Sequence, residues 1–331
     1  ADTVAAALDR TPYGGIFLRP EVIADATQVH DLVDGLRAPG DSPGGLPLLV
    51  PIDQEGGSVQ RLREGVTALP AAATVGQGHD RALARRIARV NGTELRALGV
   101  TMAFAPVADL AAGNPTIGSR AFSSDPEAAA AMVTASVAGF LDAGVVPVVK
   151  HFPGHGSVTG DSHHSLPVQR KPLSELTESD LVPFQAAIDA GAPAVMTAHV
   201  AVEDLQPGMP ASLSPRVVQG LLRDRMHFEG VAVTDSQGMG PVHGRFGPAA
   251  GAVRSLLAGN DLVLNSPDPQ KAREAVVHAV RSGRLPQSRL SDAATRVLAL
   301  RLYQQRIGGD RPDIAVLGSP EHLAAVETVG G

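Results

Sequence analysis

The chain has 331 residues, 44% hydrophobic and 19% charged, enough apolar material for a packed core and too little charge for a disordered chain. A formal net charge of −6 argues against nucleic acid as the main partner, and no apolar run is long enough to span a membrane as a helix. The absence of cysteine excludes disulfides, a thiol nucleophile and thiolate metal sites.

Short apolar runs alternate with helix-like stretches. Strands are predicted at 15–18, 46–52, 101–107, 145–149, 194–198, 231–234 and 261–264. Amphipathic helices are predicted between them, at 80–98, 125–143, 172–190 and 214–226. Pro126 and Pro215 fall where a first helical turn begins, with Asp125 and Ser214 as N-caps. Gly99, Gly144 and Gly191 follow helical runs, where a left-handed cap is needed. The tail after Arg306 reads as a Gly/Pro-rich loop with one short helix.

No composition break, repeat or low-complexity segment divides the chain, so residues 1–331 are read as a single domain. The residues with chemistry to offer (Asp53, Asp109, Lys150, His199 and Asp235) all follow predicted strand ends. That distribution is the signature of an α/β fold of the (β/α)8 TIM-type barrel class, whose active site is built from the loops at one face. A doubly wound sheet is the alternative. No Gly-x-Gly-x-x-Gly follows a strand and no Walker loop occurs, so dinucleotide and phosphate-loop readings lack support. The predicted strands are one short of eight, and the first is expected to precede Ala1.

Residues 150–163, Lys-His-Phe-Pro-Gly-His-Gly-Ser-Val-Thr-Gly-Asp-Ser-His, carry the densest chemistry. A buried strand ends in Lys150 and His151, and a glycine-hinged loop then supplies His155, Asp161 and His163, a concentration typical of sites that handle protons. Lysine occurs only at 150, 171 and 271, which makes Lys150 conspicuous. Asp161 and His163 can form a carboxylate–imidazole pair in which the carboxylate fixes the tautomer and raises basicity. In glycine-rich loops such residues also serve merely as turn formers.

Asp235 directly follows the apolar run at 231–234, so it points into the mouth of the fold as a nucleophile or caps the next helix. Asp53 is placed to accept paired hydrogen bonds from vicinal hydroxyls, with Gly56 and Gly57 allowing close backbone approach. Arg120 adds a guanidinium from another strand-following loop, and Glu55 is read as a charge at a helix N-terminus, with a second ligand contact as the alternative. The cluster of His151, His155, Asp161, His163 and His164 also suits zinc or another metal. Lys150 beside His151 argues against a cation there.

Four blocks resemble glycoside hydrolase family 3, in its bacterial single-domain β-N-acetylglucosaminidase branch. They are Gly14-Gly15-Ile16-Phe17-Leu18, Asp53-Gln54-Glu55-Gly56-Gly57 with Arg61, Asn114 to Arg120-Ala121-Phe122, and Lys150 to Gly156 with Asp161-x-His163. The resemblance implies an exo-acting, retaining β-N-acetylglucosaminidase (β-N-acetylhexosaminidase) on a (β/α)8 barrel. Asp235 would form the covalent glycosyl-enzyme, and His163, assisted by Asp161, would serve as general acid and then base. Asp53, Arg61, Arg120, Lys150 and His151 would clasp the sugar hydroxyls and acetamido group, with His199 and Met239 lining the same pocket. Terminal N-acetylglucosamine on cell-wall muropeptides or chitin-derived fragments is the implied small carbohydrate substrate, with no cofactor and no metal.

Retaining glycosidases usually pair two carboxylates about 5–5.5 Å apart. A histidine in place of the acid carboxylate is a departure that the Asp161–His163 pair supports. Aromatic residues make up 3% of the chain and tryptophan is absent, so stacking platforms for a long polysaccharide are lacking and a one-sugar pocket is favoured. The segment Thr234–Met239 lacks the second acid that often follows the nucleophile, and Ser119 stands where an acid commonly precedes the arginine. Both keep a β-glucosidase or β-xylosidase preference open. A histidine acid/base also tolerates phosphate, so a β-N-acetylglucosaminide phosphorylase is a further alternative, and a metal-dependent barrel hydrolase is the alternative of a different class. Ala1 in place of methionine and the arginine-rich usage resemble secreted or cell-envelope members with a leader removed, against cytoplasmic recycling enzymes. Nothing in the pattern sets an oligomeric state.

Overall fold

The computed structural model describes residues 8, 11, 13–37, 46, 48–162 and 165–327. Five parallel strands form the central sheet, in spatial order Pro51–Ile52, Met102–Ala103, Val146–Phe152, Ala194–Thr197 and Val231–Thr234. Spatial order follows chain order, as expected when each strand returns through helical connections to lie beside its predecessor. All seven residues of Val146–Phe152 are buried, which is why the segment reads as a continuous apolar run rather than an alternating one.

The strands still sort their side chains with period two. Val149, Val195 and Ala232 pack against helix residues Phe184, Leu221 and Leu222. Val148, Met196, Val231 and Val233 gather on the opposite face with Phe104 and Leu300.

Local rules account for the main helices. Arg81–Ala97 starts where Asp80 accepts the Ala82 and Leu83 amides, and Pro126–Asp142 starts where Asp125 accepts the Ala128 amide ahead of Pro126. Gly99, Gly144 and Gly191 adopt φ of 81°, 74° and 82°, the left-handed conformation expected after a helix. The helix predicted over 172–190 is two helices, Leu173–Glu178 and Val182–Asp189, because Ser179 leaves the helical region and Asp180 turns inward to meet Lys171 at 2.8 Å. Arg216–Arg225 is wound as a π-helix, preceded by Ser214, whose hydroxyl accepts the Val217 amide at 3.3 Å. No helix among the described residues is long and apolar enough to cross a membrane.

Among the described residues the expected (β/α)8 barrel is not formed; the sheet is an open half-barrel of five strands. Residues 15–18 join it through isolated bridges between Gly15 and Leu49 and between Leu18 and Ile52, and the 261–264 segment through a bridge between Val233 and Leu262, with the Asp261 and Leu262 amides donating to the Ala232 carbonyl. Between these edges lies an apolar cavity of about 490 Å³ lined by Ile16, Phe17, Leu262, Leu264 and Val276, not a ladder. The Asp261 side chain adds to the backbone bonds at this edge, accepting Arg223 at 2.5 Å, Arg289 at 2.8 Å and the Ala232 amide at 3.0 Å. Closure requires strand number, tilt and stagger to agree around a ring, a condition that local hydrophobic period does not encode.

Candidate active site

The carboxyl ends of the parallel strands surround a cavity of about 410 Å³, lined by Asp53, Glu55, Arg61, Arg120, Lys150, His151, His155, Ser162, Asp235 and Met239 among others. Asp53 leaves the sheet directly after Pro51–Ile52, and the chain then turns back as a two-stranded hairpin, Gln54–Gly56 against Val59–Gln60. Two buried glutamines hold this hairpin. Gln54 bonds the Leu62 amide at 3.0 Å and carbonyl at 2.8 Å, while Gln60 bonds the Leu69 amide and the Thr67 carbonyl, both at 2.9 Å.

The hairpin presents two acids to two cations. Lys150 Nζ lies 2.7 Å from Asp53 Oδ1 and 2.7 Å from Glu55 Oε1. Arg120 grips Glu55 with two parallel bonds of 2.8 Å, from Nε and Nη2. Burial alone would raise the Glu55 carboxyl, but Lys150 and Arg120 hold it down to about 2. Burial would likewise lower the Lys150 ammonium, and Asp53 and Glu55 on either side raise it above its ordinary value instead. Lysine and arginine therefore stay charged, each held in place by the carboxylates beside it.

Asp109 organises the next layer. Its buried carboxylate accepts the His155 amide at 2.6 Å and faces His151 Nδ1 at 2.6 Å. Burial pushes this carboxyl up, yet the two histidines keep it below the usual carboxylate range. With the Nδ1 proton committed to Asp109, His151 Nε2 is left as the acceptor, 3.4 Å from Arg120 Nη2 at the cavity wall.

Asp235 follows Val231–Thr234 and is half-buried at the cavity wall, its oxygen Oδ1 taking the Ser236 amide at 2.7 Å. The helix beyond, Gly240–Ala258, has Met239 at its N-cap, so Asp235 does not cap it. Burial would raise the Asp235 carboxyl; His199, His151, the Ser236 amide and Lys150 together lower it below its ordinary value. The result is an ionised carboxylate at the cavity wall. His199 is wholly buried beneath this turn, its ring nitrogens 2.7 Å from Ser212 Oγ and 2.8 Å from the Ser236 carbonyl.

The sequence profile of the glycosyl hydrolase family 3 N terminal domain matches residues 1–300. The chain belongs to glycosyl hydrolase family 3. It is 42% identical over 280 residues to a beta-hexosaminidase of Stenotrophomonas maltophilia (strain K279a), covering 83% of this chain and 82% of that one. Against a beta-hexosaminidase of Xylella fastidiosa (strain 9a5c) it is 45% identical over 257 residues, covering 76% and 75%. A family 3 beta-N-acetylglucosaminidase from Paenibacillus sp. str. FPU-7 superposes with a TM-score of 0.94 at 38% identity, over 99% of this chain and 64% of that longer one. A beta-N-acetylhexosaminidase from Beutenbergia cavernae DSM 12333 gives a TM-score of 0.82 at 34% identity, over 91% and 93%. As a member of this family the protein is a glycoside hydrolase, and its substrate is a carbohydrate.

Of the residues singled out from the family 3 pattern, Asp53, Arg61, Arg120, Lys150, His151, Asp235 and Met239 line one cavity, Arg61 from its exposed rim. His199 supports the Asp235 turn from behind. Asp161 is half-buried on the loop after Val146–Phe152, and His163 lies outside the described residues. The reading of Glu55 as a helix charge is overturned: it sits in the hairpin as the shared partner of Lys150 and Arg120. Asp109 could be found from its place just beyond an apolar run. Asn114 stood in a family block but its partner was not legible there, and Ser162 carries no comparable signal, because they meet His155 from forty-one and seven residues away respectively.

Proposed function

We infer that this family 3 chain is an exo-acting, retaining β-N-acetylglucosaminidase releasing terminal N-acetylglucosamine from small cell-wall or chitin-derived glycosides. The observation that carries the reading is the ionised Asp235, held below its ordinary value at the wall of a 410 Å³ cavity that Asp53, Arg120, Lys150 and His151 also line. The names of its relatives, beta-hexosaminidase and beta-N-acetylglucosaminidase, support the same sugar. In this mechanism Asp235 attacks the anomeric carbon as the glycosidic C–O bond breaks, and His163, paired with Asp161, gives its proton to the departing oxygen. The neutral imidazole then takes a proton from water, whose oxygen displaces Asp235 and restores the starting configuration. Asp53 and Lys150 hold the hydroxyls, and Arg120 and His151 crowd the same wall. Every group is an ordinary side chain, and no step calls for a cofactor.

The test is trapping with a slow 2-acetamido-2-deoxy fluorosugar followed by mass spectrometry, together with Asp235→Asn turnover of p-nitrophenyl β-N-acetylglucosaminide. The label is expected on Asp235, and turnover should fall by at least about 10³-fold. A label on another residue, or turnover near the wild-type level, removes Asp235 from the mechanism. Running the same assay with phosphate, and with glucoside and xyloside analogues, separates hydrolysis from phosphorolysis and fixes the sugar preference.

A further inference from the structure

The loop after Val146–Phe152 is held far more tightly than a turn requires. At its near end, a Cβ on Gly156 would lie 1.8 Å from the Leu110 carbonyl oxygen, so only glycine fits. Ser157 donates its hydroxyl to buried Asp180 and accepts Gln169 Nε2 at 2.6 Å. The far end is bound by a different set of residues. His155 is 2% exposed, with Nδ1 2.9 Å from Asn114 Nδ2 and Nε2 2.8 Å from Ser162 Oγ.

The orientation of Asn114 is settled by its other bonds. Its Oδ1 accepts the Thr116 amide at 2.9 Å, and its Nδ2 also faces the His155 carbonyl at 2.9 Å and the Gly160 carbonyl at 3.3 Å. Nδ2 is therefore the donating end, its two hydrogens shared among three acceptors, and a proton on His155 Nδ1 would meet it head-on, so Nδ1 is the unprotonated nitrogen. The single ring proton then sits on Nε2 and is donated to Ser162 Oγ. Burial, the largest influence on this ring, lowers its pKa and favours the same neutral form. Ser162 is the residue between Asp161 and His163 in the chain.

We propose that Asn114, His155 and Ser162 form a latch that folds the far end of the loop onto the fold and so positions the Asp161–His163 pair for proton transfer. All three are positioning residues, and the proposal rests on the reading of His163 as acid/base. A proton donor contributes only when held within hydrogen-bond reach of the departing oxygen, and a displacement of about 1 Å can cost about a hundredfold.

The test uses this dependence on the leaving group. Ser162→Ala removes one oxygen, and His155→Phe keeps a ring of similar size without its nitrogens. Both are compared with wild type on 2,4-dinitrophenyl and 4-methylumbelliferyl β-N-acetylglucosaminides and on chitobiose. Chitobiose and 4-methylumbelliferyl kcat/KM should fall about ten- to a hundredfold, because those leaving groups need a proton, while the dinitrophenyl value changes by less than about threefold. Azide should raise kcat of the variants on the dinitrophenyl substrate and yield the glycosyl azide, since an anion needs no base to attack the glycosyl-enzyme. An equal loss on all three substrates without azide activation, or no loss on any, overturns the latch. His163→Ala runs in parallel: if it shows neither leaving-group dependence nor azide activation, the acid/base reading has failed rather than the latch.

Discussion

Glu55→Gln probes the least expected part of the site. The carboxylate is 5% exposed between Lys150 at 2.7 Å and the Arg120 fork at 2.8 Å. Glutamine keeps the shape and one acceptor oxygen but turns an N–H2 toward one of two buried cations. A carboxyl brought from 4.5 to about 2 is worth about 3 kcal/mol, at about 1.36 kcal/mol for each tenfold change in proton affinity. Removing one partner of a buried ion pair costs a similar amount, about 3–5 kcal/mol. For a chain of 331 residues, about 2.1 cal/mol/K per residue of unfolding entropy converts 3 kcal/mol into a fall of about 4–5 °C in the thermal midpoint.

The sign of the pH dependence follows from the depressed carboxyl. Its stabilisation is complete above about 4.5 and is lost as pH falls through about 2, so the gap between wild type and variant should hold at neutral pH and narrow in acid. Circular-dichroism melts from pH 7 down to pH 3, with Michaelis kinetics at pH 7, measure both effects. KM should rise about tenfold as Lys150 and Arg120 lose their common anchor. A midpoint within about 1 °C of wild type at pH 7 with unchanged KM, or a gap that stays constant into acid, would refute the account.

Two further outcomes follow from other parts of the molecule. Because Asp235 is held below the ordinary carboxylate value of 3.8, the acid limb of kcat/KM should lie below that pH, and an inflection near pH 5 that vanishes in Asp235→Asn would contradict this. Asp261→Asn breaks the buried contacts to Arg223 and Arg289 and should cost about 3–5 kcal/mol in denaturant unfolding while leaving KM unchanged, since Asp261 does not line the cavity; a tenfold rise in KM would show that this edge of the sheet shapes the site.

Much of the site could be read before any coordinates. A β-branched run ending in Lys150-His151, or in Thr234-Asp235, places ionisable groups at the end of a buried strand, where they need partners or a ligand. The capping of Pro126–Asp142 by Asp125 was equally local, because a cap requires only one side chain and an amide two or three residues on. The blocks around Asp53, Arg120 and Lys150 carried the family in the same way, since a motif is a string of neighbours.

The sheet's topology and the partnerships inside the cavity were tertiary. Glu55 finds Lys150 and Arg120 only because the Gln54 and Gln60 side chains tie a short hairpin shut. His155 reaches Asn114 across forty-one positions, and parallel register brings Thr197 beside Thr234, stacking the strand ends around one hollow. Whether the sheet closes was beyond local pattern for the same reason. Hydrophobic period tells a strand which way its side chains face, but a ladder between the two edges depends on where folding leaves them. Here backbone bonds to Ala232 and Thr234, with Asp261 and its arginines, hold one edge, and an apolar cavity lies between it and the other.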